Sequence, residues 1–280
     1  MRATIQFISK ELNDYYPESE IQSLIRLIIE HVCHLSYTEF VLKKIETLDS
    51  STKKKVEKIV ERLKHLEPIQ YILGETEFFG MRFEVTPAVL IPRQETEELV
   101  QWIIKMNKLK DPYILDIGTG SGCIALVLKN KIKAASVSAL DISKEALDIA
   151  RHNALVHNLD VNFFRADILN FKKYNWHQYD LIVSNPPYVR ELEKKQMSDN
   201  VIQYEPAKAL FVPDDDPLIF YRGIGEFSKK YLRKNGMLFF EINEKFGSEL
   251  TIWYRESGFK DIELVKDLHG KDRFLKCTKQ

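Results

Sequence analysis

Cysteine is scarce in this chain of 280 residues, and long uninterrupted apolar runs are absent from it. The cysteines Cys33, Cys123 and Cys277 are odd in number and far apart, which excludes a disulfide framework and predicts reduced thiols. No stretch has the length of a membrane span, and the first residues lack the apolar core of a signal peptide. We therefore expect a cytoplasmic protein without membrane attachment.

An excess of charge of either sign is also missing, because 41 basic side chains balance 41 acidic ones. Such a balance gives no strong field for nucleic acid or a membrane surface, so no stable nucleic-acid binding is expected. The seven histidines form no metal-binding pattern, and His31 and His34 are better explained as surface residues. We expect no metal centre and a monomeric protein.

Residues 1–67 are predicted to form a small all-α domain. Apolar side chains recur at helical spacing over residues 5–12 and 21–35. Ser36-Tyr37-Thr38-Glu39 has the pattern of a capping box, and Asp49-Ser50-Ser51 introduces a later helix. Such a bundle serves either as a platform that recognises a substrate or as a structural cap, and the sequence alone hardly separates these alternatives.

A β-hairpin connector is predicted over residues 68–92. Two extended segments, 77–79 and 82–85, flank Gly80-Met81, a pair that suits a type II′ turn. Pro92 ends the extended segment. The apolar positions beyond it predict a helix through Leu99, Val100, Ile103 and Ile104.

From residue 110 onward, strands and helices are predicted to alternate, and we assign residues 93–280 to this domain. Strands are expected at residues 113–117, 136–140, 161–165, 179–184, 237–242, 262–265 and 274–276. Helices are expected from about residue 122, over 144–156, near 218–232 and near 248–256. This order is typical of a doubly wound α/β sheet.

Ser184-Asn185-Pro186-Pro187-Tyr188 follows one of the buried strands, at the edge where open α/β sheets carry their chemistry. The two prolines remove backbone donors, which leaves the side-chain oxygen of Asn185 and the carbonyl of Pro186 as acceptors. Two acceptors suit a substrate NH2 group, and the Tyr188 ring offers a surface for a planar amide or base. The alternative is a proline-stiffened turn with a buried tyrosine.

Asp116-Ile117-Gly118-Thr119-Gly120-Ser121-Gly122, the glycine loop, joins the first strand of the alternating region to its helix. Its glycines allow a tight turn and a close approach of a ligand to the backbone. Because Cys123 follows the third glycine, the spacing fits neither a dinucleotide fingerprint nor a P-loop. It is the spacing found in S-adenosylmethionine-dependent methyltransferases.

Acidic residues also end the next two predicted strands. Asp141, with Ile142 beside it, is placed to bind both ribose hydroxyls of a nucleoside. Asp167 is placed to bind the adenine amino group, and Ile168 to cover the ring. Each carboxylate alone also suits the N-cap of the following helix, but acidic residues after three consecutive strands favour a cofactor site.

Together these residues resemble the class I methyltransferases. In detail, the chain is similar to the protein-(glutamine-N5) methyltransferases that modify peptide chain release factors, the PrmC/HemK family. The resemblance covers nearly the whole chain and is carried by Pro68-Ile69-Gln70-Tyr71-Ile72-Leu73-Gly74, Leu90-Ile91-Pro92-Arg93 with Thr96-Glu97, the glycine loop, Asn185-Pro186-Pro187-Tyr188, and Tyr204-Glu205-Pro206 with Ala209-Leu210. Gln94-Glu95, Ile168 and Asp214-Asp215-Asp216-Pro217 depart from the common pattern of the family.

The resemblance implies a Rossmann-like doubly wound sheet of seven strands, the last one antiparallel. It also implies that the substrate is the glutamine in the Gly-Gly-Gln loop of class I release factors. The cofactor would be S-adenosylmethionine, and the products N5-methylglutamine and S-adenosylhomocysteine. Holding both N–H groups of the amide would aim its nitrogen and disfavour its delocalised form. No general base is assigned.

The resemblance also assigns the site residues. The catalytic residues are Asn185, Pro186 and Tyr188. The cofactor-binding residues are Asp116, Gly118, Thr119, Gly120, Ser121, Gly122, Asp141, Ile142, Asp167, Ile168 and Asn185. The substrate-binding residues are Asn185, Pro186, Pro187, Tyr188, Arg93 and Glu205.

Two competing functions stay open at this point. Asn-Pro-Pro-Tyr also serves enzymes that methylate exocyclic amines of nucleic-acid bases, where the target nucleotide is flipped out of its stack. The balanced charge and the lack of a separate basic domain count against that class. A non-catalytic binding protein of the same fold is the other alternative, and the intact motifs count against it.

Overall fold

The computed structural model describes residues 2–42 and 48–280 and divides the chain into two compact units. The first unit comprises Met1–Glu75 and Ser198–Tyr204, and the second comprises Thr76–Met197 and Glu205–Gln280. Residues 43–47 of the predicted all-α domain lie outside the described residues. The domain limits at residues 67 and 92 stay a prediction.

Helices build the N-terminal part of the first unit. They are α1 (Arg2–Leu12), α2 (Glu18–Cys33), α3 (Tyr37–Leu42), α4 (Ser50–Lys64) and α5 (Ile69–Leu73). The predicted helix starts are confirmed, because Ser36 and Glu39 form the capping box and Asp49 accepts hydrogen bonds from the N–H groups of Ser51 and Thr52. The apolar stripes of α1, α2 and α4 pack together in one core, as their spacing requires.

A hairpin of β1 (Glu75–Phe78) and β2 (Met81–Glu84) follows these helices. The predicted type II′ turn at Gly80-Met81 is wrong. Phe79 and Gly80 are the central residues, with φ of 54° and 73°, and two successive positive values define a type I′ turn. A positive φ is uncommon for phenylalanine. The backbone N–H of Phe79 donates to Glu97 Oε1 at 2.8 Å, which helps to hold the residue in this conformation.

Strands and helices alternate in the rest of the second unit. The strands are β3 (Tyr113–Ile117), β4 (Ser136–Asp141), β5 (Asn162–Arg165), β6 (Tyr179–Ser184), β7 (Val189–Arg190), β8 (Phe211–Val212), β9 (Leu232–Glu241), β10 (Phe259–Lys266) and β11 (Asp272–Lys279). The helices from α6 onward are α6 (Gln94–Met106), α7 (Cys123–Lys131), α8 (Lys144–Val156), α9 (Asp199–Tyr204, in the first unit), α10 (Ala207–Leu210), α11 (Ile219–Tyr231) and α12 (Gly247–Glu256). Short 3-10 helices occupy Ile168–Lys173, Glu191–Gln196 and Glu244–Phe246.

Seven of these strands form one sheet in the order β10-β11-β9-β6-β3-β4-β5. Strand β11 is antiparallel to both of its neighbours, and the pairs between β9 and β5 are parallel. The predicted fold is therefore confirmed. Helices cover both faces of the sheet, so side chains that alternate along a strand enter two different hydrophobic cores. Leu181 and Val183 pack in one core, and Ile182 packs in the other.

The strand order reverses at β3, which lies between β4 and β6. The chain continues from β3 to β4 and β5 on one side of β3 and then crosses to β6 on the other side. The loops that follow β3 and β6 therefore diverge, which opens a crevice at the carboxyl ends of these two strands. Ile117 and Ser184, the last residues of these strands, are register partners. Ser184 Oγ also donates to the Ile117 carbonyl at 2.7 Å, which holds the starts of the two loops side by side.

Candidate active site

The three glycines of the glycine loop all have positive φ, at 74°, 55° and 83° for Gly118, Gly120 and Gly122. A Cβ added to Gly118 or Gly120 would meet nothing within 4 Å, whereas one added to Gly122 would lie 3.1 Å from Ala150 Cβ. The first two glycines therefore leave the backbone open to a ligand. The third lets helix α8 pack closely against the loop.

Asp116 lies at the base of this loop and is 0 % exposed. Thr119 Oγ1 donates to one carboxylate oxygen at 2.6 Å, while the other, Oδ1, has no hydrogen-bond partner in the described part of the chain. Burial raises the pKa of Asp116 to about 7, although the hydrogen bond from Thr119 and the nearby backbone N–H of Ala125 oppose this shift. A buried acceptor without a partner is uncommon in a native protein, and a cationic donor on a ligand would satisfy it.

Asp141 connects the end of β4 to the glycine loop. Its Oδ2 accepts from Gly120 N and its Oδ1 from Ser143 N, both at 2.9 Å. The N-cap of α8 is Ser143, whose hydroxyl accepts from Ala146 N, so Asp141 is not the helix cap that was its alternative explanation. Burial raises the pKa of Asp141 despite these N–H donors. The adjacent Ile142 side chain is 53 % exposed, which leaves an apolar surface beside the carboxylate.

Asp167 and Ile168 differ from this arrangement. Asp167 caps the 3-10 helix that follows β5, accepting from Leu169 N at 2.9 Å and from Asn170 Nδ2 at 2.6 Å. Ile168 is 6 % exposed and packs with Phe171 in the core of the sheet. Their contacts with an adenine ring stay a prediction, and the cap that was the alternative explanation for Asp167 is observed.

Asn185 follows β6 and is held by a chain of side chains from distant segments. Its Nδ2 donates to Thr96 Oγ1 at 3.3 Å, and Thr96 Oγ1 donates to Glu241 Oε2 at 2.6 Å. The second oxygen of Glu241 accepts from the Tyr188 hydroxyl at 3.1 Å. Glu241 ends β9 and is 1 % exposed. Burial raises its pKa, while the hydrogen bonds from Thr96 and Tyr188 oppose the shift.

Tyr188 is held at a second point, because its backbone carbonyl accepts from Asn243 Nδ2 at 3.1 Å. Burial also raises the pKa of the Tyr188 phenol, which therefore remains protonated and donates to Glu241. The ring packs at the edge of the same core that contains Ile182. Glu241 at the end of β9 and Asn243 just beyond it therefore hold Tyr188 at two points.

Arg93 and Asn185 line a shared cavity of about 50 Å³. Its lining also includes Leu90, Tyr188, Val189, Ala209, Leu210 and Glu241. The Nη2 atom of Arg93 lies 2.5 Å from Glu205 Oε1, and Glu205 is 5 % exposed with no described partner for its Oε2. The predicted substrate-binding residues Arg93, Asn185 and Tyr188 therefore come together, and Glu205 supports them through Arg93.

Thr96, Glu241 and Asn243 complete the site but were not among the predicted site residues. One signal was available for Glu241, which stands inside the apolar run Phe239-Phe240-Glu241-Ile242 at the end of a parallel strand. A lone carboxylate at that place is expected to be functional or paired. Thr96 had a different signal, because Thr96-Glu97 is among the residues that carry the family resemblance, although the resemblance assigned it no role in the site.

A second cavity of the second unit lies away from these residues. A cavity of about 270 Å³ opens at the opposite ends of the strands, lined among others by Tyr113, Ser136 and Tyr179, and contains none of the predicted site residues. Among residues 2–42 and 48–280, no cluster of three or more His, Cys, Asp or Glu side chains is arranged to hold a metal ion. None of the helices described in those ranges combines the length and apolarity needed to cross a bilayer.

Known solved structures show the same fold. The chain aligns with a methyltransferase from Pyrococcus furiosus at a TM-score of 0.53 and 19% identity, covering 82% of this chain and 99% of that one. It aligns at the same TM-score of 0.53 and 16% identity with the 16S rRNA N2 G1207 methyltransferase of T. Thermophilus, solved with AdoMet and guanosine, covering 74% of this chain and 50% of that one. At these identities the likeness concerns the fold alone.

Sequence comparison is more specific. Residues 3–74 match the family described as PrmC N-terminal domain, and residues 96–211 match the family described as methyltransferase small domain. The release factor glutamine methyltransferase of Flavobacterium psychrophilum is 46% identical over 98% of this chain and 96% of its own length. That of Bacteroides thetaiotaomicron is 43% identical over the full length of both chains, 100% of each. This chain belongs to the family of release factor glutamine methyltransferases.

Proposed function

We propose that this protein methylates the side-chain amide nitrogen, N5, of the glutamine in the Gly-Gly-Gln loop of class I peptide chain release factors, with S-adenosylmethionine as methyl donor. The observation that carries the proposal is the Asn185 amide, held at a small cavity beside an open glycine loop. Family membership supplies the identity of the acceptor glutamine.

The residues in and beside the glycine loop fit S-adenosylmethionine. The open backbone at Gly118 and Gly120 admits a ligand, and the partnerless Asp116 Oδ1 suits its ammonium group. The Asp141 carboxylate suits its ribose hydroxyls, and the exposed Ile142 side chain suits the face of a ring. When bound, this cofactor supplies an electrophilic methyl group on a positively charged sulfur.

Asn185 and Pro186 act on the other reactant. An amide nitrogen is a poor nucleophile because its lone pair is delocalised into the carbonyl. Accepting both N–H groups on Asn185 Oδ1 and the Pro186 carbonyl orients the nitrogen, and positioning of this kind is worth roughly 7–11 kcal/mol. The same two acceptors stabilise positive charge as it develops on nitrogen, adding about 3 kcal/mol.

The proton of the amide leaves late in this scheme. Both oxygens of Glu241 already accept hydrogen bonds, from Thr96 and Tyr188, so we assign no general base and propose that water takes the proton. The Tyr188 ring at the cavity offers a face for the planar amide. Arg93, supported by the buried Glu205, is placed to bind the backbone that carries the glutamine.

The helices of residues 1–67 would recognise the body of the release factor. A glutamine in a loop offers little surface, so discrimination has to come from contacts away from the reacting centre. A chain that begins at Pro68 should bind cofactor and methylate a short Gly-Gly-Gln peptide at nearly the full rate, but methylate intact release factor far more slowly. Equal losses on both substrates would mean that these helices only stabilise the fold.

Transfer of labelled methyl groups decides the proposal as a whole. Purified protein is incubated with labelled S-adenosylmethionine and, separately, with release factor, a variant whose loop glutamine is replaced by alanine, ribosomal RNA and DNA. Label on the intact release factor alone is the expected result. The enzyme is also proposed to act as a monomer in the cytoplasm. Label on RNA or DNA and none on release factor would instead indicate a nucleic-acid amine methyltransferase.

A further inference from the structure

The orientation of the Asn185 amide follows from hydrogen-bond chemistry. Thr96 has one hydroxyl hydrogen, and the 2.6 Å contact with Glu241 Oε2 uses it, because a carboxylate only accepts. The Thr96 oxygen can then only accept from Asn185, 3.3 Å away. The group of Asn185 that faces Thr96 is therefore its NH2, and its oxygen faces away.

The opposite orientation is unfavourable. With the amide turned over, the Asn185 oxygen would face the Thr96 oxygen with no hydrogen between them, and both are acceptors at that point. The Thr96 hydroxyl could turn its hydrogen toward the Asn185 oxygen only by leaving Glu241 Oε2 without a donor. Glu241 is 1 % exposed, so the loss of that hydrogen bond would be costly. The second oxygen of Glu241 is occupied by Tyr188, so the carboxylate has a fixed orientation.

We infer that Glu241 is a positioning residue, which acts through the Thr96 hydroxyl to keep the Asn185 oxygen toward the cavity. This inference rests on the proposed function and deepens it, because it explains why the site takes a primary amide. An acceptor pair formed by Asn185 Oδ1 and the Pro186 carbonyl binds a group that donates two hydrogen bonds. It repels the carboxylate of a glutamate, which has nearly the same shape.

A pair of variants at Thr96 tests the relay without changing Asn185 or Glu241. Thr96→Val has the same shape without the hydroxyl, and Thr96→Ser keeps the hydroxyl. Thr278→Val is the matched control, because Thr278 is also buried and pairs with Met237 of β9, whereas Glu241 pairs with Phe274. Glu241→Gln is a second route, since it removes an obligatory acceptor at constant size.

The first measurement needs no substrate. Protein labelled with 15N at asparagine is examined by NMR, and the side-chain signals of Asn185 are assigned by their absence in Asn185→Ala. Solvent exchange of these NH2 protons should be roughly 10-fold faster in Thr96→Val than in wild type, Thr96→Ser or Thr278→Val. Equal exchange in all four proteins would overturn the inference, whatever the substrate of the enzyme is.

The second measurement uses release factor and a variant with glutamate in place of the loop glutamine. Thr96→Val and Glu241→Gln should lower the single-turnover rate about 10-fold or more with cofactor affinity unchanged, and Thr96→Ser should restore most of it. The wild-type preference for binding the glutamine protein should shrink in Thr96→Val and in Glu241→Gln but not in Thr96→Ser. Wild-type rate and preference in Thr96→Val would contradict the inference, whereas a wild type inactive on release factor would contradict the proposed function alone.

Discussion

The glycine loop and the Asn-Pro-Pro-Tyr loop begin at register partners, Ile117 and Ser184, yet they are held in different ways. Backbone groups hold the start of the glycine loop, because Gly118 N and Thr119 N both donate to the Leu140 carbonyl at 2.9 Å. The side chains of Asp141 and Asn153 bind Gly120 N and the Ser121 carbonyl further along the loop. Side chains from remote segments hold the second loop, through Thr96 and Glu241.

The difference follows from what each loop does. A loop that must admit a ligand to its backbone keeps side chains away, so glycine and backbone hydrogen bonds suit it. A loop that must present one amide oxygen in one direction needs that amide restrained, and at Asn185 the Thr96 hydroxyl restrains it. Substitutions in the first loop should therefore change cofactor affinity, and those in the second should change turnover.

The largest effect is expected at Asn185. Asn185→Ala should lower turnover at least 100-fold, since one directed partner of this kind is worth about 2.7–4 kcal/mol, and should leave cofactor affinity nearly intact. Single-turnover kinetics and calorimetry with S-adenosylmethionine measure the two quantities. Asn162→Ala, at an exposed position where β5 begins, is the control. Turnover like that of the wild type would remove Asn185 from the mechanism.

Asp141→Ala should do the reverse. Loss of charge-assisted bonds to the ribose should weaken cofactor binding about 10- to 100-fold, corresponding to roughly 1.5–3 kcal/mol. Gly120 N also loses its acceptor, which adds to the effect. Turnover at saturating cofactor should fall much less. An unchanged dissociation constant together with lower turnover would show that Asp141 is wrongly assigned.

Two glycines of the same loop should respond differently to alanine. Gly122→Ala should lower the free energy of unfolding by about 1–3 kcal/mol, because its Cβ would lie 3.1 Å from Ala150 Cβ. At Gly120 the added Cβ has open space, so Gly120→Ala should lower the free energy of unfolding by only about 1 kcal/mol, through its positive φ. It should weaken cofactor binding considerably more than Gly122→Ala does. Denaturant unfolding without ligand and calorimetry separate the two losses, and equal profiles would contradict the distinction.

The smallest effect concerns pH. With a pKa of about 7 in the ligand-free protein, Asp116 is mostly protonated at pH values below this and ionised above it. Only the ionised form attracts a ligand ammonium group, so cofactor affinity should rise by somewhat less than tenfold between about pH 6 and 7.5. Asp116→Asn should bind more weakly and remove the rise. A rise of the same size in Asp116→Asn would assign it to another group.

Much of the fold could be predicted because its signals are local. Strands β3 and β6 and helix α8 have the predicted limits, since apolar periodicity and strand length are properties of short segments. The hairpin turn could not be predicted correctly. Gly80 permits positive φ in both turn types, and the choice of type I′ depends on whether Phe79 also takes it.

The candidate site, too, could be predicted only in part from the sequence. Asp141 and Asp167 had equal status in the sequence, each closing a strand, but only Asp141 accepts from the glycine loop, while Asp167 caps the next turn. That outcome depends on where the two loops lie relative to each other. Glu241 was a charged residue inside an apolar run, but nothing in the run indicates which donors it meets.

By itself, then, the sequence determined the residues that stand at strand ends: the glycine loop, the acidic residues after the strands and Asn185 with its prolines. The alternation of side chains along a strand and the φ preferences of glycine and proline depend on only a few neighbouring residues, so they can be predicted from the sequence. Only the tertiary structure decided what orients Asn185. Thr96 is 89 residues from Asn185 and 145 residues from Glu241, and such contacts exist only once the parallel sheet has brought α6, β6 and β9 to one edge.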